Sequence, residues 1–276
     1  MSPPHRALKI LDYTPSLGMG GIATGMIRVL ETIDRDTYDI DFLLVDDPDK
    51  HYEERARELG SRIFYIGNPR NPLCFACEFF KINKEYGPFD VLHSHAYTYS
   101  GYMMLLGKLA GIPIRITHAH NDHRHTERAK PLIRRLYTKL MTFLINCYAT
   151  SGLTISREAG TALFGDEWQT DDRWKQIPVG TDFKPFAQKA EQTVLRKELG
   201  LKAGKKVIGI VGRFVPQKNH VFTVDFIAEF IKEHPNYQFL FIGDGPLLPE
   251  IQAQAGKAGV AEDCVFAGVR GDLPLI

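Results

Sequence analysis

Two cations flank a turn in the second half of the chain, in the segment GIVGRFVPQKNH. Gly212 ends an apolar run typical of a strand, and Arg213 and Lys218 lie on either side of the turn into a helical pattern. The first turn of a helix has unpaired N–H groups and a partial positive charge. Because arginine offers a fork of donors and lysine a compact charge, the segment predicts a diphosphate site. Two solvated surface cations are the alternative.

A glycine-rich segment, PSLGMGGIATG, joins the first strand pattern to the first helix pattern. Glycines such as Gly20 and Gly21 let a ligand approach the backbone closely, and the helix N-terminus that follows favours phosphate. The segment mimics a dinucleotide fingerprint, but Pro15, Ser16 and Leu17 separate the strand from the first glycine, which a true fingerprint does not allow. We therefore expect a phosphate-binding loop without a nicotinamide cofactor. A turn that binds no ligand is the alternative.

Two His-x-His pairs end predicted strands: His93 and His95 in DVLHSH, and His118 and His120 in IRITHAH. The carboxyl ends of parallel strands line the ligand cleft of an open α/β sheet. Histidine is a common proton-transferring or sugar-binding group near neutral pH. The pairs also suggest a metal, but zinc needs more ligands at suitable geometry, so we predict no metal site. For His93 and His118, a structural role at the strand end is the alternative.

A basic cluster, mixed with apolar residues, lies in the middle of the chain. Basic amphipathic segments lie on anionic membrane surfaces, so the cluster predicts contact with such a surface. A solvated helix face is the alternative. The basic positions are Arg124, Arg128, Lys130, Arg134, Arg135 and Lys139.

Apolar, β-branched runs alternate with helical patterns along most of the chain, which is typical of a doubly wound parallel sheet. The first series has seven strand patterns, the last of them in QIPVGTD, and a second series of three begins at KKVIGIVG. We predict an α/β fold of two Rossmann-like domains, residues 1–183 and 184–276. An open three-stranded sheet is small and has a bare edge, so we expect the second domain to be incomplete.

The composition is that of an ordinary globular protein. The chain has 276 residues, 34 Lys and Arg against 33 Asp and Glu, and a net charge of +1, which argues against a general nucleic-acid binder. With neither a membrane-spanning run nor a signal peptide in the sequence, we expect a cytoplasmic protein. Cys74 and Cys77 form a C-x-x-C without the second pair that zinc would need, so we expect them to pack within a helix.

The motifs together resemble glycosyltransferase family 4 of the GT-B fold. The run from Gly212 to Asn219 is similar to the family's donor-phosphate motif, and Gly243–Pro246 is similar to its Gly-x-Gly-Pro turn. The segment IPVGTDFKPF is similar to its interdomain segment, with Val179 in place of Asn and Thr181 in place of an apolar residue. Three further segments resemble the family's glycine loop and its two His-bearing strand ends: GMGGIAT, DVLHSHAY and RITHAHN. The resemblance covers nearly the whole chain and is strongest to exopolysaccharide and capsule enzymes of bacteria.

The resemblance implies retaining transfer of a sugar from a nucleoside diphosphate sugar to a glycan acceptor, which we expect to be lipid-linked. It implies no cofactor and no carboxylate-held metal. Arg213 and Lys218 would stabilise the leaving diphosphate, and the family's small polar residue after its histidine favours His120 over His118 as the catalytic histidine. The implied donor-binding residues are Gly20, Gly21, Gly212, Arg213, Lys218, Asn219, Gly243 and Gly245. The implied acceptor-binding residues are His95 and His118.

One departure from the family concerns a pair of glutamates, seven residues apart, that contacts the donor sugar and ribose. This chain ends before that pair, so we expect a truncated enzyme that transfers little sugar by itself. Two further functions stay open: a nucleotide-sugar 2-epimerase of the same fold, and a non-catalytic fragment that binds glycan or nucleotide. The glycine–Arg–Lys loop favours sugar transfer over the epimerase.

Overall fold

The computed structural model describes residues 6–45, 49–122, 124, 131–181, 183–187 and 191–276. The chain divides into two compact units, Met1–Gly180 and Thr181–Ile276. Each unit has one parallel sheet whose strands are connected by helices. Arg128 and Lys130 of the basic cluster lie outside the described residues.

The first unit contains a seven-stranded parallel sheet, as the strand patterns predict. Its order is β3-β2-β1-β4-β5-β6-β7, so the chain winds outward from β1 in one direction and then from β4 in the other. This is the order of a doubly wound Rossmann-like sheet. The strands are β1 (Leu8–Thr14), β2 (Tyr38–Val45), β3 (Ile63–Ile66), β4 (Val91–Ser94), β5 (Ile114–Ala119), β6 (Ser151–Thr154) and β7 (Trp174–Gln176).

Six helices of the first unit are described. They are α1 (Gly21–Thr32), α2 (Glu53–Glu58), α3 (Pro72–Tyr86), α4 (Ser100–Leu109), α5 (Leu132–Tyr148) and α6 (Arg157–Phe164).

Two hydrophobic cores flank this sheet, one on each face. Residues of β2 alternate between them: Leu43 belongs to one core, whereas Phe42 and Leu44 belong to the other. Side chains point to opposite faces along a strand, so a strand buried on both faces has a nearly continuous apolar sequence. In the central strand β1, Leu11 and Tyr13 are fully buried in one core, and Ile10 packs against the other.

Two expectations about the first unit are wrong in detail. Cys74 and Cys77 are exposed on α3, because Phe75 and Phe79 form the buried face of that helix. The last strand, β7, was expected in QIPVGTD, but it lies earlier in the chain and shares only Gln176 with that segment. It ends at Gln176, just before Pro178, which cannot donate a ladder hydrogen bond.

The second unit has a three-stranded parallel sheet in the order β10-β9-β8, which confirms the three predicted strands. Its core is rich in phenylalanine, and Phe214, Phe239 and Phe241 are almost completely buried. The strands are β8 (Lys206–Val211), β9 (Tyr237–Ile242) and β10 (Cys264–Phe266). The helices are α7 (Gln192–Glu198), α8 (His220–Glu233) and α9 (Leu248–Lys257).

Candidate active site

The first unit brings a carboxylate and four histidines together where its strand order reverses. Strands β1 and β4 are neighbours although β2 and β3 lie between them in sequence, and Asp12 is the register partner of His93. On the other side of β4, His93 is the register partner of Ile116 of β5, two residues before His118. Ligands of open α/β sheets bind at the carboxyl ends of strands at such a switch point.

The four histidine rings form a compact cluster. The ring centroids of His93 and His95 are 4.1 Å apart, as are those of His118 and His120. Nδ1 of His95 lies 2.7 Å from Nε2 of His120, within hydrogen-bond distance. The two predicted pairs, from separate strands, therefore form one site.

Asp12 lies beside two of the histidines, and only 7% of its surface is exposed. Its Oδ1 is 2.9 Å from Nε2 of His95, and its Oδ2 is 3.8 Å from Nδ1 of His93. Neither Asp12 Oδ1 nor His95 Nε2 has a hydrogen bond of acceptable geometry to another described atom. An unpaired buried polar atom costs about 1–3 kcal/mol, so this cluster is expensive to maintain for packing alone.

Burial shifts the ionisation of the whole cluster. It raises the pKa of Asp12 to about 6, against the opposing effects of His93 and His120. Burial lowers the pKa of His93 and of His95 to about 3, and neighbouring histidines add to the effect at His93. The pKa of His118 falls to about 2 and that of His120 to about 4, again chiefly through burial. The imidazoles are therefore neutral near pH 7, each with one donor and one acceptor nitrogen.

Asp12 is the residue of this site that sequence reasoning missed. A signal was present, because Asp12 is the one acidic residue in the strand LKILDYT. A buried carboxylate in a central strand is unusual unless it is paired or functional.

The first glycine loop leads from β1 into α1. Gly20, which precedes the helix, has no side chain that could cap the first turn, and that turn has no acidic residue. A Cβ at Gly20 or Gly21 would meet none of the described atoms within 4 Å, and both residues are exposed. Gly18 differs, because a Cβ there would overlap the carboxylate of Asp49, which accepts a hydrogen bond from the amide of Met19. The loop is thus fixed by Asp49 and leaves the start of the helix accessible.

The loop between β8 and α8 presents the two predicted cations to solvent, and we call residues 212–219 the donor loop. Its anchor is Phe214, which is buried and stacks on His220 with ring centroids 4.2 Å apart. Arg213 and Lys218 are exposed, and neither forms an ion pair with a described carboxylate. Asn219 has a left-handed backbone (φ 50°), and its side chain does not cap α8.

The turn Gly243–Pro246 packs backbone to backbone against the donor loop. The amide of Phe214 donates to the carbonyl oxygen of Asp244 at 2.9 Å. A Cβ at Gly243 would overlap the carbonyl of Gly212, and one at Gly245 would lie 2.6 Å from the carbonyl oxygen of Phe214. Both glycines also have positive φ, at 139° and 154°. Only glycine fits such positions, so the turn supports the shape of the donor loop.

Helix α5 carries an apolar stripe on the side away from the core. Its buried face contains Met141 and Ile145. The opposite face has large apolar side chains with exposed fractions of 52–79%. They are Leu132, Ile133, Leu136, Leu140 and Phe143.

Exposed cations border this stripe. Arg135 and Lys139 are exposed one turn apart on α5, whereas Arg134 is partly buried with its guanidinium 4.9 Å from the ring centroid of Tyr137. Arg124 pairs instead with Asp122 at 2.7 Å. Among the described residues, no helix has the length and apolar character needed to cross a bilayer.

A doubly wound sheet followed by a second Rossmann-like unit defines the GT-B class of glycosyltransferase fold. A family model described as Glycosyltransferase Family 4 matches residues 19–182, and one described as Glycosyl transferases group 1 matches residues 191–275. The chain is therefore a glycosyltransferase and belongs to glycosyltransferase family 4.

Individual relatives agree with this family. The chain is 30% identical over 269 residues to EpsF of Bacillus subtilis (strain 168), covering 94% of this chain and 68% of EpsF. It is 25% identical over 193 residues to the UDP-Gal:alpha-D-GlcNAc-diphosphoundecaprenol alpha-1,3-galactosyltransferase of Escherichia coli, covering 68% of this chain and 49% of that enzyme. The chain thus matches only part of the length of each relative.

A solved structure supports the fold. The Anabaena protein HepE, in complex with UDP and glucose, superposes with a TM-score of 0.77 over 97% of this chain and 71% of HepE. The sequence identity is 18%, so this likeness concerns the fold alone.

Proposed function

We propose that the full-length gene product transfers a sugar, with retention, from a nucleoside diphosphate sugar to a lipid-linked glycan during synthesis of a surface polysaccharide or exopolysaccharide. The observation that carries the proposal is the donor loop, where Arg213 and Lys218 are exposed beside the uncapped start of α8. A diphosphate that leaves during transfer needs charge stabilisation of this kind.

In the proposed reaction, the acceptor hydroxyl oxygen bonds to the anomeric carbon while the bond from that carbon to the diphosphate oxygen breaks. The leaving diphosphate takes the hydroxyl proton, so no protein base is required. Arg213 and Lys218 stabilise the negative charge that develops on the diphosphate. Fixed cations contribute most when they face the charge of the transition state.

We assign His120 the role of orienting the transferred sugar or the acceptor hydroxyl. It is the outermost of the strand-end histidines along β5, and its neutral ring retains hydrogen-bonding capacity. Orientation of reacting groups accounts for several kcal/mol of many enzymatic rate enhancements. His95 and His118 complete the acceptor side of the site, with His95 holding the His120 ring through the 2.7 Å contact.

Helix α5 of the first unit supports a peripheral membrane location for the protein. The apolar stripe of α5 is bordered by Arg135 and Lys139, which suits insertion between acyl chains beside anionic headgroups. The name of the relative from Escherichia coli includes a lipid-linked acceptor, diphosphoundecaprenol. A protein that uses such an acceptor must work at the membrane surface.

The proposal is tested by incubating the full-length gene product with UDP-, GDP- and dTDP-sugars and with membranes that contain polyprenyl diphosphate glycans. We expect label from one nucleotide sugar in the lipid fraction, with the anomeric configuration of the donor preserved in the product by NMR. Inversion would contradict retention, and a free epimerised nucleotide sugar as the main product would contradict transfer.

A further inference from the structure

Three histidines of the first unit meet with the geometry of a metal site. His93, His95 and His118 each present a ring nitrogen, and these three atoms lie within 4.8 Å of one another. The sequence offers only two separate His-x-His pairs, and the third ligand comes from the pairing of β4 with β5. From the sequence alone, zinc had too few ligands in one place. In the folded chain, three histidines lie close enough together to bind one ion.

The hydrogen bonding of these side chains points to the same conclusion. Four of their buried atoms, His93 Nε2, His95 Nε2 and both ring nitrogens of His118, have no hydrogen-bond partner among the described residues. Asp12 Oδ1 is also unpaired, although it lies 2.9 Å from His95 Nε2. Buried ring nitrogens and a carboxylate oxygen that lie close together without such partners are the arrangement expected of ligands around one cation.

The distances suit zinc. Zinc binds imidazole nitrogen and carboxylate oxygen at about 2.0–2.2 Å in tetrahedral geometry, so neighbouring ligand atoms are about 3.3 Å apart. The 2.9 Å contact between Asp12 and His95 is close to that spacing, and the three histidine nitrogens already lie within 4.8 Å of one another. Three imidazoles and one carboxylate form a complete tetrahedral set.

We propose that Asp12, His93, His95 and His118 bind one zinc ion at the carboxyl ends of β1, β4 and β5. The site goes beyond the proposed function, because transfer of the sugar requires no metal.

The ion would also fix the hydrogen bonding of His120. If Nε2 of His95 binds zinc, its proton lies on Nδ1 and donates to Nε2 of His120, 2.7 Å away. His120 then has its own proton on Nδ1. A histidine that binds a metal commonly donates its other ring N–H to a neighbouring acceptor in this way.

The test is the metal content of the protein, purified without a histidine tag and dialysed after addition of zinc chloride. We expect about one zinc per chain by mass spectrometry of the metal. Replacement of zinc by Co²⁺ should give the intense visible absorption of a four-coordinate cobalt site. Affinity for zinc is measured by competition with a chromophoric chelator.

Two ligand variants and one control locate the ion. His118→Asn and His93→Asn should each weaken zinc binding by at least about 10–100-fold, the loss seen when even an outer partner is removed. His234→Asn, which changes an exposed histidine at the end of α8, should bind like the parent. Circular dichroism of each variant establishes that the fold is retained.

The parent protein alone is sufficient to overturn the proposal. Less than one tenth of an equivalent of zinc after loading, together with an octahedral cobalt spectrum, would exclude the site without any variant. Equal zinc affinity of His118→Asn and the parent would also exclude it. Because these readouts use no nucleotide sugar, they distinguish failure of the zinc site from failure of the proposed transfer.

Discussion

Nδ1 of His95 and Nε2 of His120 lie 2.7 Å apart, although 25 residues separate them in sequence. The contact joins a buried histidine, which also touches Asp12, to the partly buried histidine at the end of β5. The orientation of the His120 ring is therefore set from within the sheet. A ring held in this way suits a group that must place a reacting hydroxyl.

The first prediction concerns His120. His120→Ala should lower the rate of sugar transfer by about 10²-fold, the effect of a small misplacement of reacting groups. The affinity for nucleoside diphosphate should change little, because the donor loop keeps both cations. Turnover and calorimetric binding are measured together in the full-length gene product, with His234→Ala as control. Normal turnover of His120→Ala would mean that the strand-end histidines are structural.

The second prediction concerns binding at the donor loop. Arg213→Ala and Lys218→Ala should each weaken nucleoside diphosphate binding by about 10–100-fold, because each loses a charge-assisted hydrogen bond of about 1.5–3 kcal/mol. Lys218→Arg should also bind poorly, since a planar fork and a compact charge do not fit one site equally. Calorimetry with Lys257→Ala as control, an exposed cation of the same unit, checks both points. If Lys257→Ala weakens nucleoside diphosphate binding as much as the donor-loop variants do, general attraction by positive charge would explain the binding instead.

The third prediction concerns the membrane. Exchange of Leu132, Ile133 and Leu136 for Ser should release the protein from anionic vesicles at any salt concentration, because the apolar stripe is lost. Arg135→Gln with Lys139→Gln should weaken binding chiefly at low salt, where headgroup attraction is unscreened. Co-sedimentation measures both. Lys81→Gln with Lys84→Gln, an equal loss of charge on α3, should bind like the parent.

No sedimentation of the parent with such vesicles would contradict the membrane assignment. Equal loss of binding in the α3 control would mean that total charge, not α5, drives the association.

The fourth prediction concerns the turn that supports the donor loop. Gly245→Ala should lower the free energy of unfolding by at least about 1 kcal/mol, because φ is 154° and the new Cβ would meet the backbone of Phe214. Gly256→Ala should raise it by about 0.5–1 kcal/mol, since that helical glycine of α9 has open space around it. Urea unfolding followed by circular dichroism measures both. If the free energy of unfolding changes in the same direction in both variants, the packing described for the two glycines is contradicted.

The sequence predicts most of the sheet correctly because buried parallel strands are continuous apolar runs. β2, for example, is recognisable from its core residues alone. β7 is misplaced because a strand of three residues is too short for any periodicity. Helix α7, of seven residues, is missed for a similar reason.

The site is only partly predictable from sequence. Arg213 and Lys218 are close in sequence, so a local motif reveals them. Asp12 and His93 are 81 residues apart and meet only because β1 pairs with β4. No local pattern encodes that pairing, and the same holds for the contact of His95 with His120.

The apolar stripe of α5 also required the structure. The sequence shows cations mixed with apolar residues, but the direction of the core decides which of them are exposed. Met141 and Ile145 face the core, which leaves Leu136 and Leu140 on the outside.

The central claim is that the donor loop stabilises a leaving diphosphate during sugar transfer. Its most direct test is the initial rate of transfer from the preferred nucleotide sugar, at saturating donor, in the full-length gene product and its single variants. We predict that Arg213→Ala and Lys218→Ala each lower this rate by about 10²–10³-fold, the usual effect of losing one charge-stabilising donor, while Lys257→Ala keeps the parent rate. Near-parent rates in both donor-loop variants would contradict the account.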